Sequence, residues 1–209
     1  MYQLYAFATP NNVKVVIALE ELGLPYQLHS VNVRKGEQKT AEFLALNPNG
    51  KVPVLVDNQA GDFVLTESAA ILVYLAEKHG ALLATSGVQR ARTFEQLFFH
   101  ASGISPAFGQ SGFFQKMAAE KMPIAIERFH GEAKRTLAVL NQVLEKNTYV
   151  AGEEYSIADI AHFGWIWRRA FAEVDFSETP AVARWYDTVA QRPAVLRAIQ
   201  AVEALVPAA

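Results

Sequence analysis

Residues 47–74 read NPNGKVPVLVDNQAGDFVLTESAAILVY, and the order of apolar runs and turn residues in this stretch sets the fold. Two short apolar runs, Val52 to Val56 and Phe63 to Leu65, flank Asp57, Asn58, Gly61 and Asp62, which is a hairpin signal. Thr66, Glu67 and Ser68 follow, and a helical pattern begins at Ala69 with Ile71, Leu72 and Leu75 on one face. Ser68 stands where an N-cap belongs, so unpaired backbone N–H groups and the positive helix end lie beside it. Such a helix start seats a carboxylate. Glu67 adds a negative charge next door, suited to an ammonium group. One small ligand with a free carboxylate and a free amine fits the pair. The plain alternative is a capped helix after an ordinary hairpin.

Pro53 is the second oddity of the stretch. A proline removes a ladder donor, so it belongs at an edge, a strand start or a bulge. Placed there, it leaves the backbone N–H and C=O of Val52 free to pair with an extended peptide. Because only about 5–6% of X–Pro bonds in folded proteins are cis, the Val52–Pro53 bond taken by itself is expected to be trans.

Upstream, Gln3 to Phe7 reads as a strand, Thr9-Pro10-Asn11-Asn12 as a turn, and Val13 to Leu22 as a helix closed by Gly23. Tyr26 to Val33 is a second strand, Arg34 to Lys39 a charged loop, and Thr40 to Leu46 a short helix. A β-α-β start implies a parallel pair with a right-handed crossover, and the closing hairpin makes the four-stranded sheet mixed. From His79 to Ser86 the pattern relaxes into a linker. Beyond it the periodicity is helical: Val88 to Ala101, a kink or break within Ser102 to Gly112, and then Pro123 to Leu144. Ser156 with Asp159 forms a short capping box that opens another helix, Thr179-Pro180 starts the next, and Ala194 to Leu205 is the last.

The totals narrow the function. With 209 residues and 51% hydrophobic content the chain builds a proper core. The net charge is −2, and 6 Lys and Arg face 8 Asp and Glu up to His79, against 13 facing 13 beyond it. No basic face is implied, so nucleic acid is not an expected partner. No apolar run approaches a membrane span and the start is no secretory signal, so a cytoplasmic protein is expected. The absence of cysteine removes disulfides, thiolate metal sites and any catalytic protein thiol. The five histidines are scattered, without metal-ligand spacing, and read as structural or surface groups.

Thr9 and Asn11 lie at the carboxyl end of the first strand, before a helix start, where ligands of α/β sheets tend to sit. A hydroxyl, an amide and a helix dipole aimed at one point can stabilise a bound thiolate. Equally, Asn11 can cap the helix and Thr9 can fill a turn. Tyr5 reads as packing, Arg128 as a solvated helix charge, and Arg168-Arg169 as an exposed pair among aromatics. The run Phe108 to Phe114 is either core around the helix break or the roof of an apolar pocket.

Taken together, NPNGKVPVL, TESAAILVYLAEK and YSIADIA, in this order and spacing, resemble a glutathione transferase over essentially the whole chain. TPN near the start, GEQ at Gly36 to Gln38, GQ at Gly109-Gln110 and IERF at Ile126 to Phe129 resemble the bacterial Nu class and the fungal Ure2p-like proteins. The resemblance implies a thioredoxin-like glutathione-binding domain over 1–79, a linker over 80–86 and an all-α domain over 87–209. It implies that Val52 binds the cysteinyl backbone of glutathione and that Pro53 is cis, against the base rate. Glu67 and Ser68 would hold the γ-glutamyl amine and carboxylate, with Gln38 and Lys51 at the glycyl end. Thr9 and Asn11 would approach the sulfur, and Arg128 would cross a homodimer interface into the partner's site.

Two departures stand out: relatives follow TPN with Gly-His where this chain has Asn12-Val13, and Thr66 replaces an aromatic before Glu-Ser. Without a cysteine, a disulfide reductase of this kind takes both exchanging thiols from glutathione. Glutathione conjugation to an electrophile is the companion activity, with detoxification as its setting. A glutathione-fold binding or regulatory protein is the alternative, and a glutathione-dependent isomerase or ether-cleaving enzyme would share the same site.

Overall fold

The computed structural model describes residues 1–207, which pack as two compact units. The first comprises Met1–Ala81 together with the segment that starts at Gln191, and the second runs from Leu82 to Ala190.

In the first unit the elements are β1 (Tyr2–Ala6), α1 (Pro10–Glu21), β2 (Tyr26–Ser30), α2 (Ala41–Leu46), β3 (Val54–Asp57), β4 (Phe63–Thr66) and α3 (Ser68–His79). The sheet order is β2-β1-β3-β4, with β1 and β2 parallel and both other pairs antiparallel. This is the mixed four-stranded, thioredoxin-like arrangement expected from the sequence. Leu4 and Ala6 of β1, Val54 and Leu55 of β3, and Ile71, Leu72 and Leu75 of α3 are buried with α1 in the core.

Several boundaries differ from expectation, each for a local reason. Helix α1 begins at Pro10, not Val13, because proline carries the right φ for the first turn and no N–H is needed there. Strand β2 stops at Ser30 because Asn32 turns the chain away: its N–H donates to Glu37 Oε2 at 2.6 Å, and its Oδ1 accepts from the N–H of Arg34 at 3.0 Å. Strand β3 starts after Pro53, and the Val52–Pro53 peptide bond is cis. At the other end of β3, the buried Asp57 accepts hydrogen bonds from Tyr74, Lys78 and the Gln59 N–H. Burial pushes the Asp57 carboxyl up, but these donors outweigh it and hold it below its ordinary value.

Helix α9 (Pro193–Glu203) packs along α1. Arg192 donates to both carboxylate oxygens of Glu21, at 2.6 and 2.9 Å, and Arg197 reaches Glu20 at 2.6 Å. The sequence grouped this helix with the all-α part. Its apolar face of Ala194, Val195, Ala198 and Val202 carries no mark of which neighbour covers it.

The second unit holds α4 (Gly87–Phe99), α5 (Ser105–Gly112), α6 (Pro123–Leu144), α7 (Ile157–Trp167) and α8 (Pro180–Ala190). Where a kink or break was expected, wide π-helical turns at His100–Ile104 and Phe113–Met117 bracket α5, and the chain leaves the helix only at Ala118. Pro106 is tolerated because it falls in the first turn of α5. Gly112 is required by close approach, since a Cβ there would meet the Phe171 ring at 2.1 Å. The capping box of α7 forms as expected from Ser156 and Asp159. At α8, the N–H groups of Ala181 and Val182 are capped by Asn141 Oδ1 of α6, at 2.9 and 3.3 Å, and not by the Thr179 hydroxyl. Among the described residues no helix is long and apolar enough to cross a membrane.

Candidate functional site

Strand register brings the expected ligand-binding residues of the first unit to one end of its sheet. Tyr5 of β1 stands opposite Val54 of β3, so the carboxyl end of β1 meets the start of β3. Val54 in turn stands opposite Thr66, so the carboxyl end of β4 arrives at the same edge. Ala6 pairs with Ser30, which adds the loop after β2. Thr9, Val52, Pro53, Glu67, Ser68 and the segment bearing Gln38 therefore all leave the sheet at this end.

Two helix starts open there, and neither is capped by a side chain. At α3 the structure corrects one assignment: Ser68 is the first helical residue and Glu67 occupies the cap position. Glu67 has φ 65° and ψ 111°, a backbone conformation that non-glycine residues seldom adopt. Its side chain is exposed and Ser68 is half-buried. With no capping side chain, the first N–H groups of α3 are available to an anion, and the helix dipole favours one.

Val52 lies just outside the ladder, and among the described residues its backbone N–H and C=O make no hydrogen bond. That is the free peptide edge expected from the placement of Pro53. Lys51 is exposed, and its carbonyl is pinned by Asn47 Nδ2 at 2.6 Å. Gln38 donates to the Val33 carbonyl at 3.4 Å, while its own Oε1 is buried without a partner among the described residues.

At the start of α1, Thr9 is the N-cap in extended conformation and Asn11 lies inside the first turn, so Asn11 does not cap the helix. Asn12, where relatives were expected to carry glycine, is fully buried and donates through Nδ2 to the Thr9 hydroxyl oxygen. With an oxygen lone pair so engaged, the hydroxyl proton of Thr9 is the group left to donate outward. Asn11 Oδ1 accepts from Lys14 Nζ at 2.8 Å. Lys14 is only 2% exposed. Burial drives its ammonium pKa down to about 7, an effect the Glu67 carboxylate partly offsets.

Asn12 and Lys14 were missed from sequence. The available signal was a lone lysine in VKVVIAL, where every neighbour from Val13 to Leu19 is apolar and buried.

Arg128 belongs to the second unit and is exposed on α6, beside Ile124, Glu127, Gly131, Glu132 and Arg135 in a shallow depression. Tyr5 packs as expected, stacked on His29 with ring centroids 4.8 Å apart. Arg168 and Arg169 are not an exposed pair: Arg168 lies over Trp167 at 4.0 Å, and Arg169 over Phe176 at 3.9 Å. In the run from Phe108 to Phe114, Phe108 is buried against Trp165 and Phe114 stacks on Phe129, while Phe113 is exposed. Among the described residues no cluster of His, Asp or Glu could hold a metal ion.

A thioredoxin-like sheet, a cis-proline at a free backbone edge and two uncapped helix starts thus meet at one end of the first unit. The family model for the glutathione S-transferase N-terminal domain matches residues 9–78, and that for the C-terminal domain matches residues 101–193. The disulfide-bond oxidoreductase YfcG of Escherichia coli (strain K12) is 41% identical over 205 residues, covering 95% of this chain and 94% of that protein. A glutathione transferase family member from Pseudomonas fluorescens pf-5, solved with two glutathione bound, superposes with a TM-score of 0.90 at 44% identity. That match covers 95% of this chain and 92% of the other. The Pseudomonas putida glutathione transferase, solved with one glutathione disulfide bound per subunit, gives a TM-score of 0.90 at 40% identity, covering 95% and 90%. The chain belongs to the glutathione S-transferase family.

Proposed function

We propose that this protein is a glutathione-dependent enzyme that reduces disulfides, and also conjugates glutathione to electrophiles, without using a thiol of its own. One observation carries the reading: two hydrogen-bond donors, the Thr9 hydroxyl and the Asn11 amide, stand at an uncapped helix start in a chain that has no cysteine. The γ-glutamyl carboxylate takes the N–H groups at Ser68 and its amine takes Glu67. The cysteinyl backbone pairs with Val52 beside Pro53, and the glycyl end meets Gln38 and Lys51. The sulfur then arrives at Thr9 and Asn11, whose N–H and O–H dipoles, with the end of α1, favour thiolate over thiol.

In the reductive reaction this thiolate attacks one sulfur of the substrate disulfide. A glutathionyl mixed disulfide forms and the other sulfur leaves as a thiolate, which takes a proton. A second glutathione thiolate attacks the glutathionyl sulfur, releases the remaining substrate thiol and leaves glutathione disulfide. Two glutathione molecules supply the two electrons and two protons. Holding both thiols in line makes each exchange effectively intramolecular. Support comes from the two solved relatives, one with two glutathione bound and one with one glutathione disulfide bound per subunit.

We read the motifs TPN, GEQ, GQ and IERF as those of the bacterial Nu class, and propose a cytoplasmic homodimer with a detoxifying role. Arg128 reaches from one protomer into the partner's glutathione site. Residues 1–79 bind glutathione, 80–86 link, and 87–209 shape the pocket for the second substrate. Nucleic acid is not a proposed partner, since a net charge of −2 implies no basic face, and no membrane partner is proposed either.

The test is turnover of a glutathione-capped disulfide by Thr9→Ala/Asn11→Ala, alongside calorimetric binding of glutathione. Turnover falls by about two orders of magnitude, as for loss of two donors to a charged group, with binding largely kept. Undiminished turnover would remove both residues from the chemistry.

A further inference from the structure

We propose that Lys14, through its hydrogen bond to Asn11, sets which end of the Asn11 amide faces the glutathione sulfur and thereby makes thiolate stabilisation depend on pH. The proposal rests on the glutathione reading above and adds a positioning residue to it. Lys14 touches neither substrate nor sulfur. It acts through Asn11.

The argument starts from what each group can do. An asparagine amide has an acceptor end and a donor end, and rotation about its last bond exchanges them. A protonated lysine has three donors and no acceptor. Lys14 Nζ, 2.8 Å from Asn11 Oδ1, therefore holds the oxygen inward and leaves the two N–H groups of Nδ2 as the outward end. A thiolate only accepts, so it meets the correct end. A neutral lysine amine carries a lone pair and can accept as well as donate, so the constraint on the amide lapses on deprotonation.

The placement suits a titration near neutrality. Lys14 is 2% exposed amid Val13, Val15 and Val16, and burial brings its ammonium pKa down to about 7. Glu67, at the start of α3, is the carboxylate that acts on it. The other charges on packed elements are engaged away from it. Arg192 and Arg197 of α9 pair with Glu21 and Glu20 at the far end of α1. On α3, Tyr74 and Lys78 bond Asp57, and His79 bonds Tyr2 of β1; Glu77 lies on the same last turns. Tyr5 of β1 stacks on His29 of β2. Thiol ionisation raises activity with pH and loss of the Lys14 proton lowers it, so the profile is bell-shaped.

The experiment measures kcat/KM for a glutathione-capped disulfide between about pH 5 and pH 9, where this ratio reports the free enzyme's essential groups. It does so for the native protein, Lys14→Met, Asn11→Ala and the double variant, with calorimetric binding of glutathione to each. Native protein shows an alkaline limb. Lys14→Met loses about tenfold at the native optimum, the worth of one charge-assisted hydrogen bond, and loses that limb while still binding glutathione. In the Asn11→Ala background Lys14→Met adds nothing, because the two act as a unit. An unchanged limb in Lys14→Met, or an equal loss in both backgrounds, overturns the proposal. Should Lys14→Met fail to fold, the limb must instead vanish in Asn11→Ala, and its persistence there is equally fatal. Absence of glutathione binding to the native protein overturns the underlying reading, whereas intact binding with an unmoved profile overturns this proposal alone.

Discussion

The indole N–H of Trp185 on α8 donates to Asp159 Oδ1 of α7 at 2.9 Å, and the same carboxylate accepts from the N–H groups of Val150 and Ser156, each at 2.9 Å. One buried side chain thus ties a helix start, the preceding loop and a neighbouring helix together. Asp159→Ala leaves four buried donors without this partner, the Ser156 hydroxyl among them, at about 1–3 kcal/mol for each left unpaired, and is expected to lower the urea midpoint by the equivalent of roughly 3 kcal/mol or more.

The pH dependence of that contribution has a definite sign. Burial pushes the Asp159 carboxyl up to about 6, only partly countered by its hydrogen bonds, against an ordinary value of 3.8. Between these values the folded state binds more protons than the unfolded, so this group's contribution to stability falls as pH rises through the window. Stability of native protein relative to Asp159→Asn should therefore increase when the buffer is taken from pH 7 to pH 5. Denaturant titrations at both values check it.

Lys14 titrates in the opposite sense. Its ammonium is held down to about 7 in the fold and has its ordinary 10.5 in the unfolded chain, which binds the extra proton between those values. Stability therefore rises with pH across the window, and the cost of the buried charge is fully present below about 7. Lys14→Met removes that cost, on the order of a few kcal/mol. The variant should melt higher at pH 7, with the gap closing toward pH 10, while turning over more slowly. A lower melting temperature at neutral pH would contradict the assignment.

Asn12 stands where relatives of this kind were expected to have glycine, and its amide is bonded to the Thr9 hydroxyl. Asn12→Gly frees that hydroxyl to rotate. Losing one neutral hydrogen bond is worth about 1 kcal/mol, so turnover should drop about fivefold and the bound thiol should titrate at higher pH. Thiolate absorbance of the glutathione complex reads the shift directly.

The architecture was legible because its signals are local. The hairpin turn residues, the apolar face from Ile71 to Leu75, and the Ser156–Asp159 box each fix an element without reference to the rest. The free backbone edge at Val52 was legible for the same reason, since proline excludes itself from a ladder. What stayed hidden depends on contacts between distant residues. No local pattern tells that Asn141 rather than Thr179 caps α8, or that α9 lies on α1. The support behind Thr9 and Asn11 was masked by composition: Lys14 in a helix suggests a solvated charge, and only the covering of α1 on all sides reverses that.

The ion pairs of Arg192 with Glu21 and of Arg197 with Glu20 stitch α9 to α1. During synthesis α1 emerges long before α9, so one flank of α1 stays bare until the chain has been made through that helix. The segment that carries Thr9 and Asn11 is therefore made early and completed late.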